Sequence, residues 1–291
     1  MAVAAVLPLV VFVGLVYLAG GYALFQAFLK PAEPPKGQGG PEAYHLVYET
    51  LRLRTSRVGA RYFAVPDARA TAVMVPAVGG TVWTLQGESL GPFVRALTAR
   101  HIAVVTLPGF HPRVVAEALD VLARKDIPAE QIILVGFSLG GSTALQTAAE
   151  RPVGGVVADG VVDDVARELW RDVARQGVLV RILIPALRLF FAFSSRLTQA
   201  MHALNTVSHV TAPILLVYGE VEPLVTQGLH HGLLQRAAET DRIEVWIVPE
   251  TGHCFGPVDH PDLYADRLFE FGARWVFPSP GAKGPDRDPT A

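Results

Sequence analysis

The chain has one cysteine, Cys254, in 291 residues. That excludes an internal disulfide and any zinc site built from several cysteines. It also lacks clustered charge. The 25 basic and 27 acidic residues are dispersed and leave a net charge of −2. Without a run of Lys and Arg there is no electrostatic footprint for a phosphate backbone, which excludes nucleic acid as the main partner. No Walker-type or dinucleotide-type glycine loop follows an apolar run. His230 and His231 are adjacent, so on a helix they point about 100° apart and make a poor ligand pair. No metal and no cofactor are expected, and no internal repeat is visible.

Charge is missing altogether between Ala2 and Leu29. A helix of that length would span roughly 40 Å, enough to cross a bilayer with tilt. Residues 1–30 are therefore expected to form a transmembrane anchor, with the membrane as a partner. A cleaved signal peptide fits less well, because no basic residues precede the apolar run and the run exceeds an ordinary signal core. Leu18-Ala19-Gly20-Gly21 is similar to a lipoprotein cleavage box, but Gly21 stands where the lipidated cysteine belongs. A buried core helix is the remaining alternative, disfavoured by the Pro- and Gly-rich stretch that follows at once. That stretch, 31–43, reads as a tether. The expected localisation is a single-pass membrane anchor. Lys30 and Lys36 after the span lean by two charges toward a cytoplasmic domain.

From Tyr44 to Phe277 the pattern is that of a folded domain. His45–Arg54, Val58–Val65 and Ala70–Pro76 read as strands between polar turns. Strands and helices then alternate: helix 87–100, strand 101–106, helix 113–125, strand 132–135, helix 142–149, strand 154–159, strands 213–219 and 242–248, and an amphipathic helix 261–276. Such alternation predicts an α/β fold with a mostly parallel, doubly wound sheet and its site at the carboxyl ends of the strands. Residues 164–209 do not fit it. Their apolar core, Val178–Leu204, carries Arg181, Arg188 and Arg196 at helical spacing, as a helical cap would. It could be a plain cover for the sheet or a lid over an acyl pocket. The tail, 278–291, is Pro, Gly and charge and is expected to be disordered.

The chemistry centres on Gly136-Phe137-Ser138-Leu139-Gly140, between the apolar run Ile132–Val135 and the helix-forming Ser142–Ala149. G-x-S-x-G at a strand-to-helix turn is the pattern of a nucleophile elbow. The serine is exposed on a strained turn, and the flanking positions pass too close for side chains. The helix that starts there aims free N–H groups at an oxyanion beside the serine.

On these residues, and over roughly Tyr44 to Phe277, the chain resembles the α/β-hydrolase superfamily, in particular its membrane-associated esterase and lipase-like members. The resemblance implies an α/β-hydrolase fold and the chain order Ser, then Asp or Glu, then His. Ser138 would be the nucleophile. Glu222, in Tyr218-Gly-Glu-Val-Glu-Pro-Leu-Val225, would be the acid, with Glu220 beside it and Asp159 after the preceding strand as alternatives. His253, in Thr251-Gly-His-Cys-Phe255, would be the base. The oxyanion donors would be the amides of Leu139 and of Val78, or else Ala77. Pro76-Ala77 stands where the family often has His-Gly. Thr106-Leu-Pro-Gly-Phe110 replaces the usual Asp and longer loop. His111 and His260 could line the site, His230 and His231 suit the surface, and Cys254 suits packing. The implied activity is hydrolysis of a small-molecule or lipid carboxylic ester, with acyl-lipid-like substrates favoured by the anchor and the apolar insertion. A thioesterase, amidase or peptidase of the same fold, or a non-catalytic membrane-tethered scaffold, are the alternatives.

Overall fold

The computed structural model describes residues 2–29, 40–85, 87–164, 177–193, 202–222 and 228–277. Its strands are β1 (Glu49–Leu51), β2 (Ala60–Phe63), β3 (Ala70–Val75), β4 (Thr84–Leu85), β5 (Glu88–Ser89), β6 (Ile102–Thr106), β7 (Ile132–Phe137), β8 (Gly155–Asp159), β9 (Ile214–Gly219) and β10 (Ile243–Val248). Its helices are α1 (Ala2–Leu29), α2 (Gly91–Ala99), α3 (Pro112–Ala123), α4 (Leu139–Glu150), α5 (Val178–Phe193), α6 (Ala203–Val207), α7 (His231–Ala238), α8 (Gly256–Asp259) and α9 (Pro261–Trp275).

Eight strands form one sheet in the order β1-β2-β6-β3-β7-β8-β9-β10. The six from β6 to β10 in that order are parallel, and β2 and β1 extend the edge antiparallel. Alternate side chains of β3 enter opposite cores, Val73 and Val75 on one face, Ala72 and Met74 on the other. Leu119 and Leu122 of α3 and Leu145 of α4 close the first face. Phe93 and Leu97 of α2 and Leu268 and Phe271 of α9 close the second. A parallel sheet must be covered on both sides in this way. After β3 the chain adds β6 on one side and then returns to add β7 on the other. The carboxyl ends of β3 and β7 therefore meet where the winding reverses, the place where such sheets leave a crevice.

The first strand is shorter than its sequence pattern suggests. Pro41–Tyr44 form a 3-10 turn, and the Tyr44 ring packs on Gly91, leaving no room for a Cβ there. Only Glu49–Leu51 then pair with β2. The helix expected from Gly87 begins at Gly91, because Glu88 and Ser89 pair back on Thr84 and Leu85. The helix expected from Ser142 begins at Leu139, directly after the serine.

The amino-terminal segment requires a correction. It is helical, but α1 lies along α5 rather than standing apart from the domain. Tyr22 meets Phe190 edge-on at 5.3 Å, Phe25 meets Phe191 at 5.0 Å, and the Ala186 amide donates to the Tyr17 hydroxyl at 3.3 Å. Gly21 sits so close to Ala186 that a Cβ would clash. One helix face is thus committed to the domain. Among the described residues, no helix is long and apolar enough to cross a membrane. The transmembrane anchor, the membrane as a partner and the single-pass localisation fall with that finding. Within the insertion, α5 and α6 are described, with Arg181 and Arg188 exposed. Arg196, residues 31–39 of the tether and the tail lie outside the described residues.

Candidate active site

Ser138 follows β7 with φ 54° and ψ −121°, outside both ordinary helical and extended backbone. The turn is held by its neighbours. A Cβ on Gly136 would press into the carbonyl of Gly140, and one on Gly140 into the carbonyls of Val75 and Pro76. These are backbone atoms that cannot swing aside. The elbow therefore needs glycine at both places for close approach, and the loop after β3 packs directly on it. Gly140→Ala is expected to destabilise the protein by roughly 2–4 kcal/mol in chemical denaturation. Gly109→Ala, where a Cβ meets nothing within 4 Å, serves as the control and should stay within about 0.5 kcal/mol.

Leu139 opens α4, so its amide is one of the first four that a helix cannot satisfy internally. Among the described residues, neither the Leu139 nor the Val78 amide donates to an acceptor in the chain. Val78 is exposed at the same end of the sheet, in the loop where Gly80 N–H closes on Ala77 O at 3.0 Å.

The turns after β9 and β10 are stitched together. Parallel register sets Gly219 beside Val248. Beyond them, Glu220 N–H donates to Val248 O at 2.9 Å, Val221 N–H to Thr251 O at 3.1 Å, and Glu250 N–H to the Glu220 carboxylate at 2.9 Å. Glu220 thus braces the turn. Glu222 is fully buried, its Oε2 accepts from Gly219 N–H at 3.2 Å, and its Oε1 is hydrogen-bonded to His253 Nδ1. The His253 pKa is raised above its ordinary value. Burial works to lower it, and is outweighed by the Glu222 hydrogen bond and by the charges of Glu222 and Asp159.

Asp159 ends β8 opposite Phe137 and is buried at 2% exposure. Its carboxylate accepts from the Tyr264 hydroxyl at 2.9 Å, while Glu222 is the carboxylate bonded to His253. Its backbone carbonyl accepts the Ser138 amide at 2.7 Å and the Cys254 thiol at 3.4 Å. Cys254 is buried, and burial pushes its thiol pKa well up, which fits the packing role expected of it.

His111 caps α3, its Nδ1 accepting from Arg113 N–H at 3.2 Å, and His260 joins α8 to α9. His231 is exposed, but His230 is buried with its ring 4.6 Å from that of Tyr218. The surface position expected for His230 is wrong, because the helix start turns that one ring into the core. Sequence reasoning missed Tyr264, which no motif marks; its only signal was a polar tip on the apolar face of a closing helix. Among the described residues, no group of His, Cys, Asp and Glu could hold a metal ion.

The sequence profile of the alpha/beta hydrolase family matches residues 72–267. No curated protein matches the chain. Among solved structures, an esterase of Pyrococcus furiosus superposes with a TM-score of 0.61 at 16% identity, covering 85% of this chain and 98% of its own. The esterase domain of a Rhodothermus marinus protein gives 0.57 at 19%, covering 79% and 98%. A puromycin-hydrolyzing peptidase of Mycobacterium tuberculosis gives 0.60 at 15%, covering 86% and 43%. At such identities the likeness concerns the fold alone.

Proposed function

We propose that this chain, which belongs to the alpha/beta hydrolase family, is a serine esterase acting through Ser138, His253 and Glu222. The observation that carries the reading is the buried Glu222 carboxylate bonded to His253 Nδ1, in a loop whose Cys254 shares the Asp159 carbonyl with the Ser138 amide. A serine hydroxyl is a poor nucleophile until a base takes its proton, and the base needs a partner that fixes its tautomer. With Nδ1–H donated to Glu222, His253 presents Nε2 as the acceptor.

Ser138 Oγ attacks the ester carbonyl carbon and His253 Nε2 takes the hydroxyl proton. The Leu139 and Val78 amides receive the oxyanion, consistent with their lack of acceptors within the described chain. Collapse breaks the acyl–oxygen bond, and His253 returns the proton to the leaving alcohol. Water, activated by the same imidazole, then attacks the acyl-enzyme and frees Ser138. Labelling with a fluorophosphonate probe tests the scheme. The wild type should label, and Ser138→Ala and His253→Ala should not. A folded wild type that fails to label would favour a binding or scaffold role instead.

The substrate reading is an ester with a long acyl chain. Its support is α5, which buries Leu187 and Phe191 and exposes Val178, Ile182, Leu189 and Phe193 at helical spacing on the opposite face. Against chromogenic esters below their micelle concentrations, kcat/KM for a dodecanoyl ester should exceed that for the acetyl ester by about tenfold or more. A preference for the acetyl ester would exclude the lipid-like substrate.

A further inference from the structure

We propose that Asp159 is a positioning residue that ties the turn bearing Ser138 to the loop bearing His253, while its carboxyl, paired with Tyr264, acts on the His253 imidazole. The role assigned to those two residues rests on the hydrolase reading above. The contacts themselves do not.

One carbonyl, that of Asp159, accepts both the Ser138 amide at 2.7 Å and the Cys254 thiol at 3.4 Å. The residue before the base-loop cysteine is His253 itself. Gly160 follows with φ 65°, and a Cβ there would come within 2.6 Å of His253 Cε1 and 2.7 Å of Cys254 Sγ. The corner of β8 is therefore wedged between nucleophile and base, and only glycine lets it close. The Asp159 side chain is buried at a site where the Tyr264 hydroxyl, itself 1% exposed, donates to Oδ2 at 2.9 Å. A backbone tie alone would be served by almost any residue at 159. A buried carboxyl is costly unless its environment uses it.

The groups that act on this carboxyl are Tyr264 from α9 and Cys254 from the loop after β10, by hydrogen bonding, and His253 of that loop and Glu222 from the turn after β9, through their charges. Burial pushes it up to about 7, against the opposing pull of the Tyr264 hydrogen bond and the His253 charge, with Glu222 adding to the rise. It thus changes charge across neutrality. When ionised it favours the His253 imidazolium and adds to the effect of Glu222. Removing that charge must lower the His253 midpoint, and so extend the neutral, base-competent imidazole to lower pH.

The experiment is an NMR titration of Cε1–H in histidine-labelled full-length protein, with the His253 resonance identified by its loss in His253→Asn. In Asp159→Asn the His253 midpoint should fall by about half a pH unit or more. Tyr264→Phe removes a donor that favours the ionised carboxyl, so it should move the midpoint in the same direction by less. A purely structural role would lower stability and leave the midpoint in place. An unchanged midpoint in folded Asp159→Asn overturns the proposal. If that variant does not fold, an unchanged midpoint in Tyr264→Phe does so. The titration needs no turnover, so a wild type that resists fluorophosphonate would sink the hydrolase reading and leave this result to stand or fall separately.

Discussion

Ser138→Ala is expected to lower kcat on any ester substrate by about 10⁴-fold or more, to the residual level left by binding and oxyanion donors. The fold should be unaffected. The serine hydroxyl makes no capping hydrogen bond to α4, and the elbow is held by the glycines and by the Asp159 carbonyl instead. Alanine meets the same φ of 54° with the same single Cβ. Thermal unfolding of the variant should therefore overlay that of the wild type while hydrolysis is lost. Retention of more than about 1% of kcat by clean variant protein would show that the nucleophile lies elsewhere.

Glu222→Gln should lower kcat by about 10³- to 10⁴-fold. The carboxamide is nearly isosteric, and its oxygen can still accept from the Gly219 amide, so the buried site stays filled. What is lost is the charge that stabilises the imidazolium, together with a reliable acceptor for Nδ1–H. Because the Glu222 hydrogen bond and charge raise the His253 pKa against burial, the acid limb of residual activity should move to lower pH. The sign follows directly, since a less stabilised imidazolium gives up its proton at lower pH. Asp159→Asn should shift that limb in the same direction but cost less than about tenfold at the optimum, because Asp159 makes its side-chain bond to Tyr264. A reversed ranking, with Asp159→Asn the more damaging, would make Asp159 the triad acid.

Much of this architecture is local in origin and could be read along the chain. Alternating apolar runs and helix formers mark a doubly wound sheet, and a serine between two glycines at a strand-to-helix turn marks the elbow. Each of those signals lies within a dozen residues, where backbone sterics and periodicity act. The position of His253 followed from its place after the last strand. The partnerships around it could not be read that way. Glu220, Glu222 and Asp159 are all carboxylates near strand ends. Only the register of β9 on β10 sets Glu222 against His253, 31 residues away. Asp159 meets a tyrosine 105 residues on, through the docking of α9, and no pattern encodes that contact.

The same reason underlies the two corrections. An uncharged helix looks alike along the sequence whether it faces lipid or lies against another apolar helix. The packing of Tyr22 and Phe25 on Phe190 and Phe191 is what distinguishes α1. His230 and His231 are neighbours of one type, and the start of α7 sends the first into the core and the second to solvent. Composition and periodicity set which elements form and where a reactive turn can sit. Which side chains then face one another depends on long-range docking, because burial and charge pairing act between surfaces that only the folded chain brings together.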